Sequence, residues 1–237
     1  MSEQETPRLG LPLIQPAQAQ KHVTVNEALI RLDALAHLVL EAVDAVTPPA
    51  SAPEGACWAL GAGAGGDWAG QGGTVAIRAG GGWVHVAPPA GLRASLRDGA
   101  PVIFDGSGWQ VGAMALTPSG AGIAARSVEV VVTPQAGARA ASGIQVPEGV
   151  LILGATARVT ATLGGGLASW SLGTGDAVDR FGTGLGLAAG SWCRGILSQP
   201  MVYWSPESLD LIATGGSFDG SGAVTVALHW LELGLPR

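Results

Sequence analysis

The chain has 237 residues, enough for two small domains or one large all-β domain with appendages. Only 13% of them are charged, about half the share usual for soluble proteins, and mean hydropathy is +0.35. Twelve basic against 18 acidic residues give a net charge of −6, and with Lys21 the single lysine and the arginines scattered, the cation cluster that nucleic-acid binding requires is missing. A membrane partner is excluded on similar grounds. The longest apolar run, Ala34 to Val46, is broken by His37, Glu41 and Asp44, well short of the ~20 apolar residues of a span. No basic, then apolar, leader opens the sequence, so assembly in the cytoplasm is expected. Cys57 and Cys193 are expected to be buried thiols rather than a bridge. With so little charge, much of the surface is expected to be covered by other copies or partners.

The first region runs over residues 1–46. Pro7, Pro12 and Pro16 break any helix between Thr6 and Ala19, which reads as an extended arm. Thr24 and Glu27 have capping-box spacing. Val25, Leu29, Leu32, Ala36, Val39 and Val43 then follow at alternating steps of four and three, which predicts a helix from Val25 to Asp44 with an apolar seam. That seam either packs on the chain's own β-structure or bundles with copies of itself.

The second region, 47–112, is dense in glycine. Two segments resemble each other: Val75–Ile77 leads through Gly80–Gly82 to Trp83, and Val102–Phe104 leads through Asp105–Gly108 to Trp109. Each predicts a hairpin with a glycine turn, together a small meander with tryptophans in its core. Residues 113–145 read as a linker carrying one strand, Val128 to Thr133. In 146–237, Val150 to Leu163 alternates with Leu151, Leu153, Ala155, Ala157 and Val159 on one face. Further short strands follow, ending on Ala223 to Leu233, and predict an antiparallel β-sandwich of jelly-roll type. The expected fold class is mostly β.

Chemical motifs are sparse. No Gly-x-Ser-x-Gly elbow occurs, and His22, His37, His85 and His229 lack the short ligand spacings of a zinc site. The run Gly61–Gly66 has dinucleotide-motif spacing, but the glycines after Asp67-Trp68 cannot continue as the helix that such a motif opens. No cofactor, metal or catalytic residue is therefore expected. Asp176 and Asp179, flanked by Trp170 and Phe181, form either a self-satisfied turn or a loop whose carboxylates coordinate calcium or accept sugar hydroxyls. Trp192, Tyr203 and Trp204 are the other candidates for a sugar platform.

The stretch Pro16-Ala17-Gln18-Ala19-Gln20-Lys21-His22-Val23-Thr24-Val25-Asn26-Glu27-Ala28-Leu29 resembles the N-terminal motif of a family of uncharacterised proteins in alphaproteobacterial prophages and gene transfer agents. The glycine–tryptophan hairpins and the segment from Asp179 to Trp192 are similar to that family too. The resemblance implies a virion component of spike or fibre type, most simply the base of a head spike that helps the particle adhere to host capsular polysaccharide. It implies a homo-oligomer, trimer or pentamer, seated on capsid or other spike proteins and released from the cell by lysis. Gln18, Gln20, Lys21, His22, Asn26 and Glu27, with Val25, Leu29, Leu32 and Val39 of the seam, are the expected attachment or oligomer contacts. A carbohydrate-binding tail-fibre adhesin is the alternative. A polysaccharide depolymerase using Asp176 and Asp179 is a second.

Overall fold

The computed structural model describes residues 5–14, 21–175 and 177–236. They divide into two compact units, one reaching to Gly122 and including Pro236, the other spanning Ile123–Leu235. The fold is mostly β, with one α-helix near the N-terminus.

In the first unit, helix α1 (Lys21–Leu35) precedes strands β1 (Val39–Leu40), β2 (Cys57–Ala59), β3 (Val75–Ala79), β4 (Gly82–Val86), β5 (Arg93–Leu96), β6 (Pro101–Phe104), β7 (Trp109–Val111) and β8 (Ala113–Leu116). Seven of these strands form one sheet in the order β4-β3-β2-β1-β5-β6-β7. The two similar sequence segments thus become two antiparallel meanders, β2-β3-β4 and β5-β6-β7, placed either side of β1, which runs parallel to both. In the β3–β4 turn Gly80 and Gly81 have φ of 59° and 76°, the left-handed pair that a two-residue hairpin needs. The Glu54 carboxylate accepts both their amides, at 2.8 and 3.1 Å.

Trp68 is fully buried between Trp58 and Trp83, with ring centroids 6.0 and 5.0 Å away. It is delivered by a short 3₁₀ turn, Gly66–Trp68, that follows the Gly61–Gly66 run. That run is a set of turns, and no α-helix follows it. Cys57 packs in the neighbouring core and burial pushes its thiol up to about 11, so it is protonated at neutral pH.

Helix α1 differs from its expected bounds at both ends. It begins at Lys21, so Thr24 lies inside it and caps nothing; Glu27 instead pairs with Arg31 at 2.6 Å. It stops at Leu35, because His37 takes a left-handed φ of 51° and the chain turns into β1. Arg8 closes that end. Its guanidinium donates to the carbonyls of Asp33, Ala34 and His37, which would otherwise lack partners at a helix C-terminus. The Asp33 carboxylate accepts from Thr6 Oγ1, at 2.7 Å, and from the amides of Arg8 and Leu9. Asn26 pins the arm further along through the amide and carbonyl of Ile14. The arm is therefore stitched to the helix by polar contacts that run from buried at Thr6–Asp33 to exposed at Asn26–Ile14. The region read as arm and helix also supplies β1, the middle strand of the sheet.

Residues 113–145 are not a linker. They carry β8, β9 (Gly122–Val132) and β10 (Arg139–Val146), and the division between units falls at Gly122. The small and polar residues that read as linker are the solvent face of these strands: β10 alternates exposed and buried along its whole length.

The second unit continues with β11 (Leu151–Ala161), β12 (Ser169–Thr174), β13 (Ala177–Leu185), β14 (Trp192–Met201), β15 (Glu207–Thr214) and β16 (Ala223–Gly234). One sheet is ordered β10-β15-β12-β13 and the other contains β14-β11-β16-β9. Ile152, Ala155, Ala157 and Val159 of the second sheet bury against a core that includes Trp170, Leu172, Leu209 and Leu211 of the first. Each buried Ile, Val or Leu among these contributes about 1.5–3 kcal/mol. The alternation expected from Leu151 through Val159 breaks at a bulge: the register of β11 shifts between Ile152 and Gly154 against both neighbours. Ile152 therefore points inward and Leu153 outward, while Ala155, Ala157 and Val159 keep the expected face.

Candidate functional site

The side chains that converge in the second unit lie on the outer face of the β14-β11-β16 sheet. Strand alternation sends Ala157, Val159 and Cys193 into the core and sends Thr156, Arg158, Trp192 and Arg194 out. The register then aligns them in three rows across the strands. Trp192 faces Arg158, which faces Thr225; Arg194 faces Thr156, which faces Ala227; Ile196 faces Gly154, which faces His229. The first two rows, bordered by Glu129 of β9 and Thr160 of β11, line a groove of about 590 Å³. The third row continues the same face beside the bulge, with a smaller apolar hollow of about 280 Å³.

Trp192 is 62% exposed, and the Arg194 guanidinium lies over its ring at 5.8 Å from the centroid. Its position is fixed from behind. The turn before it is bonded to β11 through Gly190 N to Val159 O and Val159 N to Ser191 O, both at 2.8 Å. His229 is held between hydroxyls, with Nδ1 2.7 Å from Ser127 Oγ and Nε2 3.0 Å from Thr156 Oγ1. Behind this face the packing is tight. A Cβ on Gly195 would stand 2.0 Å from Phe181 O, so glycine there permits β13 to approach β14. Burial raises the pKa of Cys193, whose Sγ donates to Phe181 O on the core side of the strand. The face offers an exposed aromatic ring, guanidinium donors, a carboxylate and hydroxyls on a rigid sheet, which is equipment for binding a polar ligand with flat apolar patches.

The other expected site residues fall elsewhere. Trp170 is 1% exposed and its Nε1 donates to Gly186 O; it is core and cannot present a stacking face. Tyr203 is also buried, its hydroxyl 3.0 Å from Thr174 Oγ1. Trp204 is 84% exposed in the bend after β14 but does not line the groove. Asp179 lies on strand β13 rather than in a loop, with an exposed side chain, and Asp176 lies outside the described residues, as do Gln18 and Gln20. Among the described residues, no three His, Cys, Asp or Glu side chains cluster as metal ligands. Among the described residues, no helix is long and apolar enough to cross a membrane.

Of the expected contact residues in the first unit, Lys21 and His22 open α1, and Asn26 is engaged by the chain's own arm. Val39 sits in β1 opposite Ser95, outside the helix. Val25 and Leu32 are 39% and 56% exposed and Leu29 is half-buried, while Ile30 and Ala34 face the core. The predicted seam is thus the outer stripe of the helix.

Residues 25–110 match a family described as a protein of unknown function (DUF2793), a match that runs from within the helix to within β7, the last strand of the second meander. No curated protein matches the chain. Among solved structures, a chain of the cyanophage Pam1 capsid asymmetric unit is similar at 14% identity, covering 47% of this chain and 85% of that one, with a TM-score of 0.31. A likeness of that size carries no argument about function.

Proposed function

We propose that the chain is a structural component of a phage-like particle, the base of a head spike, and that its second unit contacts host capsular polysaccharide. The observation that carries this reading is the groove around Trp192, where an exposed ring and polar side chains share one rigid face. Sugars present apolar C–H faces and hydroxyl rims, which suit a ring flanked by Arg, Thr and Glu. The low charge and the resemblance of Pro16–Leu29 to phage and gene-transfer-agent proteins support the virion setting. The chain acts by binding rather than by catalysis. Electrophoresis of the full chain through gels containing capsular polysaccharide from recipient cells is the test. Retardation is expected, with no reducing ends released on prolonged incubation. Unretarded migration contradicts the reading, and released reducing ends would make the protein a depolymerase.

Self-association rests on a separate observation, the apolar stripe that α1 leaves uncovered at Val25 and Leu32. A second copy presenting the same stripe would cover it in the manner of a helix bundle. Leu32→Glu places a charge on that stripe at an exposed position, so the subunit fold is expected to lose less than about 0.5 kcal/mol. The solution mass is expected to be oligomeric for the natural chain and monomeric for the variant. An oligomer unchanged by Leu32→Glu would remove the helix from the interface.

A further inference from the structure

We infer that the ligand of this groove is an acidic polysaccharide, one whose carboxylates are read by Arg158 and Arg194. This inference rests on the saccharide reading above and specifies its chemical class.

The chain carries 18 acidic against 12 basic residues, so arginines should find carboxylates easily. Arg31, Arg78, Arg97, Arg126 and Arg139 each do. Arg158 and Arg194, like Arg8, Arg93 and Arg180, form no ion pair among the described residues, and these two are exposed together in one groove with Glu129. They are also close to each other. Arg158 lies opposite Trp192 and Thr156 opposite Arg194, which makes the two arginines diagonal neighbours on adjacent strands. Diagonal positions on adjacent strands lie roughly 7–8 Å apart. Two like charges at that separation repel, and among the described residues lining the groove only Glu129 is acidic, so the groove as built has a net positive charge inside a negatively charged chain.

Guanidinium groups recognise carboxylates through paired, parallel N–H donors, a geometry that a neutral sugar cannot answer. Arg194 additionally rests over the Trp192 ring, which holds its fork beside the surface where a sugar ring would stack. A chain of uronic acid residues supplies both parts: a ring face for Trp192 and a carboxylate at regular intervals for the arginines. Each contact on an exposed face is weak and screened by salt, so recognition depends on several along one polymer.

The test uses the full chain and three polyuronate probes: polygalacturonate, alginate and hyaluronate. Each is run beside the same polymer after chemical reduction of its carboxyl groups to alcohols. Retardation by at least one native probe is expected, weakened tenfold or more by reduction, by 0.5 M salt and by the double variant Arg158→Gln/Arg194→Gln. Both arginines are exposed, so the double variant is expected to fold, and its unchanged melting temperature checks this. Equal retention of a native probe and its reduced form would overturn the carboxylate inference while leaving saccharide binding in place. Retention of host capsular polysaccharide with none of the three probes retained would overturn it as well. Failure of the natural chain to retain host polysaccharide would instead overturn the saccharide reading itself.

Discussion

Trp68→Ala is expected to lower the unfolding free energy of the first unit by about 3–5 kcal/mol, the range for removing a fully buried aromatic. The side chain has no exposed surface and touches two other tryptophan rings, one of them Trp83 at 5.0 Å and 76°. Trp58 and Trp83 are themselves 5.5 Å apart, edge to face, so removing the central ring leaves a void that neither neighbour can fill without losing the other contact. Small domains are stable by about 5–15 kcal/mol in total, so the loss consumes a large share. Urea unfolding followed by circular dichroism measures it. A loss below about 1 kcal/mol would mean that the cluster relaxes around the cavity and that the aromatic core is not what holds the two meanders.

Trp192→Ala has the opposite signature. The side chain is more than half exposed, so stability is expected to change by no more than about 0.5 kcal/mol. Affinity for polysaccharide is expected to fall by about 2 kcal/mol, roughly thirtyfold, as for an aromatic anchor at the centre of a contact surface. Trp204→Ala is the matched control. It removes an even more exposed ring, outside the groove, and is expected to leave binding unchanged. Equal losses in both variants would point to non-specific aromatic adhesion and away from a site.

The parts of this fold that are legible in the sequence are those fixed by local physics. Gly80-Gly81 before Trp83 announces a hairpin because few other residues accept two successive left-handed conformations. The last strand is legible because Val224, Val226 and Leu228 alternate without interruption. What local pattern misleads on, long-range pairing decides. The four-three spacing of apolar residues continues from α1 through Val39 and Val43, but Val39–Leu40 is claimed by β2 and β5 as the middle strand of a sheet. His37, in a left-handed conformation, marks the change. In β11, a one-residue bulge against β16 displaces Leu153 to the outside, which no period-two count anticipates.

The site was half legible. Trp192 stands out as a tryptophan among small residues, yet β14 itself does not read as a strand, because Gly195 and Pro200 interrupt its β-formers. Arg158 and Arg194 are 36 positions apart in sequence and become neighbours only through the β11–β14 register. Trp170 and Tyr203 are equally eligible from composition, and only the packing of the sandwich separates them from Trp192. Arg8 and Asp33 lie far apart in sequence, and no local motif signals that they tie the arm to the helix.

Hydroxyl-radical footprinting of the full chain, with and without capsular polysaccharide from recipient cells, is the most direct measurement of the central claim. Trp192 and Trp204 are both open to oxidation, and mass spectrometry reads each separately. The account predicts that polysaccharide slows oxidation of Trp192 severalfold and leaves Trp204 unaffected. Oxidation of Trp192 at the same rate in both conditions, with the polysaccharide bound, would contradict it and move the contact surface off the β14-β11-β16 face.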